Sequence, residues 1–141
     1  MPAAPAARTR RHVFSCPVRW SDMDAYGHVN NARFLTYLED ARIDLLFTKA
    51  NAEGVAGLAG GVLVKHQEIE YVRPVEFGDP LRIELWIRDI RAASFTVDYL
   101  ASVRDRVVAT ASTVLVTYDL GARALRRLDA EERDFLERHR S

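Results

Sequence analysis

The sequence has 141 residues, of which 48% are hydrophobic and 28% are charged, as is typical of one globular domain with a sizeable core. Lys and Arg together number 20, and so do Asp and Glu, so the formal net charge is zero. Such a chain has no overall positive field to attract nucleic acid or an anionic membrane surface, and we expect neither as a partner.

The first residues, MPAAPAARTRR at 1–11, are rich in Pro and Ala and are predicted to form a flexible tail ahead of a single domain at 12–141. They lack the apolar stretch of a secretory signal, and no segment of the chain reaches transmembrane length. The expected location is therefore the cytoplasm. The one cysteine, Cys16, has no partner for an internal disulfide, and its apolar surroundings favour a buried, inert side chain.

The first half of the domain is predicted to be a strand, a polar loop and a long helix. The strand covers 12–20, with Pro17 as an interruption, and the loop covers 21–30. From 31 to 48, apolar side chains recur at helical spacing, which predicts an amphipathic helix. Its apolar stripe comprises Phe34, Leu35, Leu38, Ala41, Leu45 and Leu46, and the residues expected largely off that face are Glu39, Asp40, Arg42, Asp44 and Lys49.

After a glycine-rich break at 54–61, the pattern changes to the two-residue period of β-strands. A meander of long strands is expected, with antiparallel hairpins after residue 80, where the connections are short. A short amphipathic helix at about 129–139, capped by Asp129, ends the chain. The predicted strands lie at 62–75, 81–90, 94–103 and 107–119.

These elements predict an α+β fold in which a curved antiparallel sheet wraps around the long helix. The helix must bury its apolar stripe, and the apolar face of the sheet is the available partner. The outer face of the sheet mixes charged residues with Trp86 and Tyr118. This mixed face and the long strand edges favour pairing with another subunit.

The segment with the clearest chemical content is RWSDMDAYGHVNNARFLTYLEDAR at 19–42, where polar residues precede the helix. Asp22 and Asp24 lie two residues apart, shortly before the predicted helix start. The free N–H groups of a first helical turn bind negative charge or a polarised carbonyl. A carboxylate beside such donors suits acyl transfer, because the donors stabilise an oxyanion while the carboxylate attacks or activates water.

The same residues also have a purely structural interpretation. Asp, Asn and Gly are common in loops, and Asn30 or Asn31 could cap the helix. Gly27 could serve only to supply a positive φ angle. The residue types by themselves leave open whether Asp24 is catalytic.

The pattern DMDAYGHVNNARF followed by YLEDAR resembles the opening motif of the 4-hydroxybenzoyl-CoA thioesterase family of hotdog-fold acyl-CoA thioesterases. The similarity continues through IEYVRPVEFGDPLRIELWI and ATASTVLVTYD, and covers roughly residues 12–120. The resemblance implies a hotdog fold, thioester hydrolysis, and a homodimer or homotetramer. It also implies that neither a metal nor a redox cofactor is required, with coenzyme A forming part of the substrate.

The resemblance assigns roles to individual residues of the motif. Asp24 matches the catalytic carboxylate, acting as nucleophile or as general base for water, and the backbone N–H of Asn31 matches the oxyanion donor. Gly27, His28 and Val29 match the turn onto the central helix, where Gly27 and Val29 would contact substrate. His28 is shared by only part of the family and is assigned a positioning role. Phe34 stands where many relatives have tyrosine.

Several residues outside the motif are further candidates. Glu39 is the alternative acid, because some hotdog thioesterases draw their carboxylate from the central helix, although Glu39 and Arg42 can also simply pair. Ser94 resembles a position near the pantetheine arm of the substrate. Arginines suited to the phosphates of coenzyme A are Arg73, Arg88 and Arg91. No Cys and His set with zinc-site spacing is present, and His66 is interpreted as an ordinary strand residue.

The function expected from the sequence is hydrolysis of an acyl-CoA thioester to the free acid and CoA. One alternative is a non-catalytic acyl-CoA-binding module, against which the retained Asp24 argues. A second, weaker alternative is a hotdog hydratase or dehydratase, which would use a histidine with an acidic partner. Only His28 lies in the motif, and no second element of that kind accompanies it.

Overall fold

The computed structural model describes residues 11–141, so the predicted flexible tail lies outside the described residues except at its last position. That residue, Arg11, places its guanidinium 3.8 Å from the centre of the Trp86 ring. Within the described range, an antiparallel sheet packs around a long helix, as expected. The elements are β1 (His12–Cys16), α1 (Asn31–Ile43), β2 (Val62–Tyr71), β3 (Leu81–Arg88), β4 (Ser94–Val103), β5 (Arg106–Asp119), β6 (Ala124–Leu125) and α2 (Ala130–Arg138).

Helix α1 begins at Asn31, as predicted, but helical backbone continues past the predicted end at 48. A π-helical turn follows over Asp44–Lys49 and a last α-helical turn over Ala50–Ala52. Gly54, with a φ of +83°, ends the helix. Because the alanine and asparagine of the last turn tolerate helix without adding to the apolar stripe, the periodic pattern stops before the helix does.

The buried face of α1 matches the predicted stripe with three differences. Leu35 is only half-buried, and Tyr37 is fully buried although it was not part of the stripe. The prediction that Arg42 lies off this face is wrong, because Arg42 is 8% exposed. The long apolar stem of an arginine allows it to occupy a position beside the core. The stripe residues confirmed as buried are Phe34, Leu38, Ala41, Leu45 and Leu46.

The sheet has the order β1-β3-β4-β5-β2, with β6 paired to the end of β5. The predicted hairpins β3–β4 and β4–β5 are confirmed. The predicted four-strand meander is wrong, because β2 pairs with β5 at the far edge rather than with β3. The connection from β2 to β3 contains Pro74 and Pro80 and is too long for a tight hairpin, so it crosses to the other side of the sheet.

Strands β3 and β4 supply most of the sheet's inner face. The predicted alternation in both is confirmed, with the inward side chains buried and most outward ones partly or fully exposed. β1 and β2 are shorter than predicted, ending at Cys16 and Tyr71, where Pro17 and Pro74 follow closely. The inward residues are Leu81, Ile83, Leu85 and Ile87 of β3, and Phe95, Val97, Tyr99, Ala101 and Val103 of β4.

The C-terminal helix α2 is confirmed close to its predicted bounds. Asp129 accepts a hydrogen bond from the Glu132 N–H, and the Glu132 side chain accepts one from the Asp129 N–H, which completes a capping box. Phe135 and Leu136 are fully buried against the core. Across residues 11–141, no helix is long and apolar enough to span a bilayer.

Candidate active site

The loop before α1 is anchored by the buried side chain of Asp22. Its Oδ2 accepts hydrogen bonds from the Tyr37 hydroxyl at 2.8 Å and from Arg19 Nε at 3.0 Å. Its backbone carbonyl accepts the Asn30 N–H at 2.9 Å, directly at the helix entrance. These contacts fix the path of the chain between residues 19 and 30.

The charge of Asp22 is balanced by its hydrogen-bond donors. Burial by itself would raise the pKa of Asp22, but the hydrogen bonds from Tyr37 and Arg19 outweigh it, and the pKa lies below its ordinary value. Burial, reinforced by the bond to Asp22, raises the pKa of Tyr37 to about 12, so its hydroxyl remains a donor. Asp22 is thus a buried carboxylate whose Oδ2 holds the loop to Tyr37 and Arg19.

Asp24 differs from Asp22 in being less buried and in accepting hydrogen bonds from backbone N–H groups alone. Its Oδ1 accepts the backbone N–H groups of Tyr26 at 2.8 Å and His28 at 3.1 Å. The turn is closed by the Gly27 N–H, which donates to the Asp24 carbonyl at 3.1 Å, and Gly27 has a φ of +78°. Oδ2 makes no hydrogen bond with any described residue, so the carboxylate is held in position with one oxygen available.

The first turn of α1 supplies a backbone donor near this carboxylate. The Asn30 side chain caps the helix by accepting the Ala32 N–H at 2.8 Å. The Asn31 N–H, in contrast, donates to no residue of the described chain. An unpaired N–H at the positive end of a helix dipole is suited to a carbonyl oxygen that gains negative charge.

Asp24 and Asn31 line the same open groove, whose volume is about 320 Å³. Of the other predicted site residues, His28, Val29 and Arg73 also line it. The groove wall contains Tyr71, whose hydroxyl donates to the Asn31 carbonyl at 2.7 Å. Remaining lining residues are Phe34, Val72, Pro74 and Val75.

His28 contributes mainly its backbone to this arrangement. Its N–H donates to Asp24 Oδ1, and its carbonyl accepts the Asp24 N–H at 2.7 Å. Its imidazole forms no hydrogen bond with the described part of the chain. Two backbone bonds thus tie His28 to Asp24, and the positioning role that the resemblance implies for His28 stays a prediction.

Other predicted candidates lie away from the groove. Arg88 donates to Asp98 at 2.6 Å and to Asp89 at 2.8 Å on the outer face of the sheet, opposite α1. Ser94 opens β4, and the main chain of Gly27 forms the turn without lining the groove. Glu39 lies about two helical turns beyond Asn31 and forms an ion pair with Arg42 at 3.7 Å. The structure thus brings Asp24 together with Asn31 but not with Arg88, Ser94 or Glu39.

The local environment bears on two further kinds of site, a reactive cysteine and a metal centre. Cys16 is buried as expected, and burial, with the negative charge of Asp40, raises the pKa of its thiol to about 12, so it remains protonated and unreactive. Among residues 11–141, no group of three or more His, Cys, Asp and Glu side chains could hold a metal ion. The expectation that no metal is required stays a prediction.

Two tyrosines that complete the site were not identified from the sequence. Tyr37 follows Phe34 by three positions, so helical spacing contained the signal that places it on the buried face. Tyr71 follows the alternating pattern of β2 at its last residue, but its contact with Asn31 depends on how the strand packs against the helix.

Comparison with known proteins assigns the family. The sequence profile described as the thioesterase-like superfamily matches residues 18–136. The chain belongs to this superfamily. It is 31% identical over 122 residues to the long-chain acyl-CoA thioesterase FadM of Escherichia coli K12, covering 85% of this chain and 92% of that protein. It is 30% identical over 129 residues to a 1,4-dihydroxy-2-naphthoyl-CoA hydrolase of Synechococcus elongatus, covering 89% and 95%.

Solved structures agree with this assignment. A Thermus thermophilus thioesterase, solved with coenzyme A and Zn, matches with a TM-score of 0.78 at 27% identity, covering 92% of this chain and 95% of that one. A predicted thioesterase from Bacillus stearothermophilus has a TM-score of 0.83 at 19% identity, covering 93% and 97%, which shows the fold. The prediction of a hotdog-fold thioester hydrolase is confirmed.

Proposed function

We propose that the protein is an acyl-CoA thioesterase in which Asp24 is the catalytic carboxylate. The observation that carries the proposal is the groove shared by Asp24, with its free Oδ2, and Asn31, with its unpaired N–H. The names of the relatives, a long-chain acyl-CoA thioesterase and a naphthoyl-CoA hydrolase, support a CoA thioester as substrate. They differ in acyl group, so they leave that group open.

The reaction follows from the two functional groups. The thioester carbonyl oxygen accepts the Asn31 N–H, which stabilises the negative charge that develops as the carbonyl carbon is attacked. Asp24 either attacks this carbon itself, giving a mixed anhydride that water then hydrolyses, or removes a proton from the attacking water. In both courses the CoA thiolate leaves, and the products are a carboxylic acid and free CoA.

Neighbouring groups have supporting roles in this proposal. His28 holds Asp24 through backbone hydrogen bonds, and Val29 contributes apolar surface to the groove. Arg73 lines the groove and is exposed, so it is the arginine best placed to meet a CoA phosphate. A homodimer or homotetramer, a cytoplasmic location, and independence of metal or redox cofactors remain part of the proposal.

The test is CoA release from a panel of aromatic, short-chain and long-chain acyl-CoA thioesters. Asp24→Asn keeps an oxygen that can accept the Tyr26 and His28 N–H groups, so the loop should hold its shape while the reactive carboxylate is lost. We expect kcat/KM to fall by about 100-fold or more. Glu39→Gln, which removes the alternative acid outside the groove, should leave kcat/KM within about threefold of wild type.

The possible results separate the competing assignments. Equal activity of wild type and Asp24→Asn would show that Asp24 is not catalytic, and loss in Glu39→Gln would transfer the role to Glu39. If no thioester releases CoA although calorimetry detects acyl-CoA binding to the wild type, the protein is the binding module instead.

A further inference from the structure

The first turn of α1 is held from the side by Tyr71, the last residue of β2. The Tyr71 hydroxyl donates to the Asn31 carbonyl at 2.7 Å, and this bond joins positions 40 residues apart in the sequence. In an α-helix the carbonyls point towards the C-terminus, whereas the first N–H groups point out of the N-terminal end. Tyr71 therefore holds Asn31 by its carbonyl and leaves the Asn31 N–H, which donates to no described residue, available at the helix end.

The Tyr71 side chain is itself held in one orientation. Its ring meets the buried ring of Phe34 edge-on, with centroids 6.0 Å apart and ring planes at 85°. Phe34 in turn contacts Tyr37 at a centroid distance of 6.0 Å, and Tyr37 donates to Asp22. The hydroxyl remains a donor at neutral pH, because burial raises the pKa of Tyr71 above its ordinary value of 10.0. The three rings thus link the helix start to the same aspartate that anchors the loop carrying Asp24.

The first turn of α1 has little packing to keep it in place. Residues 31–33 are all exposed, so their position depends on hydrogen bonds. Asn30 supplies two of these bonds, since its side chain accepts the Ala32 N–H at 2.8 Å and its own N–H donates to the Asp22 carbonyl at 2.9 Å. Because helix ends fray, a further bond from the sheet restrains the turn that contains Asn31.

We propose that Tyr71 is a positioning residue that fixes the Asn31 N–H where the thioester oxygen gains its charge. The inference rests on the proposed function, because it takes that N–H as the oxyanion donor. Such donors act at about 2.7–3.1 Å from the oxyanion, and a displacement of about 1 Å can lower a rate by about 100-fold. A hydroxyl that restrains the turn therefore contributes to the chemical step through Asn31.

Tyr71→Phe tests this role, because it keeps the ring against Phe34 and removes only the bond to Asn31. We expect kcat for CoA release to fall by about tenfold, less than the roughly 100-fold loss caused by removing a whole oxyanion donor, because the donor remains but is held less well. KM should stay within about twofold of wild type, since the restraint acts on the transition state rather than on the bound substrate. The Leu35 amide, which closes the first turn on the Asn31 carbonyl, should exchange its hydrogen faster in the variant.

The matched control is Tyr99→Phe, which removes another tyrosine hydroxyl with a fixed acceptor. Tyr99 lies on the inner side of β4, and its hydroxyl donates to Thr113 at 3.0 Å, outside the groove that contains Asp24. This control should lower the urea midpoint of unfolding but keep the kcat of wild type. An equal fall of kcat in both variants would show that general destabilisation, and not the bond to Asn31, causes the effect.

Asn31→Pro connects the effect to the N–H itself. Asn31 is the first residue of the helix, where proline is tolerated, and Asn30 has the extended backbone, with a ψ of 135°, that a following proline favours. The substitution removes the N–H and keeps the carbonyl that accepts the Tyr71 hydroxyl. In this background Tyr71→Phe should have no further effect on kcat, whereas in Asn31→Ala, which keeps the N–H, the loss of about tenfold should persist.

The outcomes distinguish this inference from the proposed function. A kcat unchanged by Tyr71→Phe, a loss confined to KM, or an undiminished loss in the Asn31→Pro background would overturn the role of Tyr71 and leave the thioesterase intact. Full activity of Asn31→Pro would do the same, because another group would then be the oxyanion donor. Absence of CoA release from every thioester would overturn the proposed function and this role with it. If Asn31→Pro does not fold, the kcat and KM of Tyr71→Phe decide.

Discussion

Two aspartates separated by one residue have opposite environments in this site. Asp22 is 6% exposed, and both Tyr37 and Arg19 donate to its Oδ2. Asp24 is less buried, accepts only backbone N–H groups, and lines the open groove. The same residue type therefore stabilises the loop at one position and is available for chemistry at the other, a distinction that the sequence motif does not reveal.

Asp22→Asn should lower stability without changing the chemical step. The substitution removes the negative charge that receives the Tyr37 and Arg19 hydrogen bonds, and the free energy of unfolding should fall by about 1–3 kcal/mol. Urea denaturation at neutral pH measures this change. The kcat of the folded variant should remain close to wild type, and a loss like that expected for Asp24→Asn would contradict the structural role.

The acid dependence of stability gives a second measure of Asp22. Because its pKa is lower in the folded than in the unfolded protein, its contribution is complete above its ordinary value of 3.8 and is lost as pH falls through the folded pKa. Stability of Asp22→Asn should therefore depend less on pH below that value than stability of the wild type. Parallel acid-unfolding curves would show that Asp22 has no favourable partner in solution.

At the scale of elements, the entry into α1 depends on a turn that requires a positive φ angle. Gly27→Ala should cost about 1 kcal/mol of stability because a side chain disfavours this conformation. No atom lies within 4 Å of the Cβ that the substitution adds, so the effect is conformational rather than steric. Distortion of the turn should displace the Asp24 carboxylate and lower kcat/KM.

Gly54→Ala is the matched control for this substitution. Gly54 has a φ of +83°, an open Cβ position, and an N–H bonded to the carbonyl three residues earlier at 3.1 Å, as Gly27 has. It follows the end of the helix, remote from Asp24. Both variants should lose similar stability in urea denaturation, whereas kcat/KM should fall only for Gly27→Ala. An equal kcat/KM in the two variants would show that the turn at Gly27 does not position Asp24 for catalysis.

The elements were predictable wherever burial imposes a simple period. The sequence predicted the alternation of β3, most of the stripe of α1 and the Asp129 cap, because each depends on neighbours along the chain. Arg42 was misplaced because its burial depends on β2 and β5 closing over the helix. The burial of Leu35 and Tyr37 differs from the prediction for the same reason, since the width of a buried stripe is set by the surface that covers it.

At the scale of the whole molecule, strand order could not be obtained from strand sequence. The β2 pattern is equally compatible with β3 or β5 as neighbour, and only the long connection through Pro74 distinguishes them. The candidate site depends on this order, because β2 at the edge brings Tyr71 against Asn31. The motif predicted Asp24 and Asn31, whereas the contact between Tyr71 and Asn31 required the assembled fold.

The same strand order leaves β1 and β2 at the two edges of the main sheet path, with β6 pairing off β5. β2 is the longer edge, with ten residues against five, and Leu63, Val64 and Tyr71 are each more than 40% exposed. A long edge with exposed apolar side chains is a surface on which a second copy of the chain can add its own strand. We therefore expect the predicted homodimer or homotetramer to form through β2.

Val64→Lys tests this expectation against Val13→Lys on the other edge. The two valines are nearly equally exposed, at 44% and 43%, so the substitutions should perturb the isolated subunit alike. A charged side chain on an edge strand opposes strand addition, because pairing would bring the ammonium against an apolar partner. Light scattering of purified protein should give a reduced mass for Val64→Lys and the wild-type mass for Val13→Lys; the reverse result would place the interface at β1.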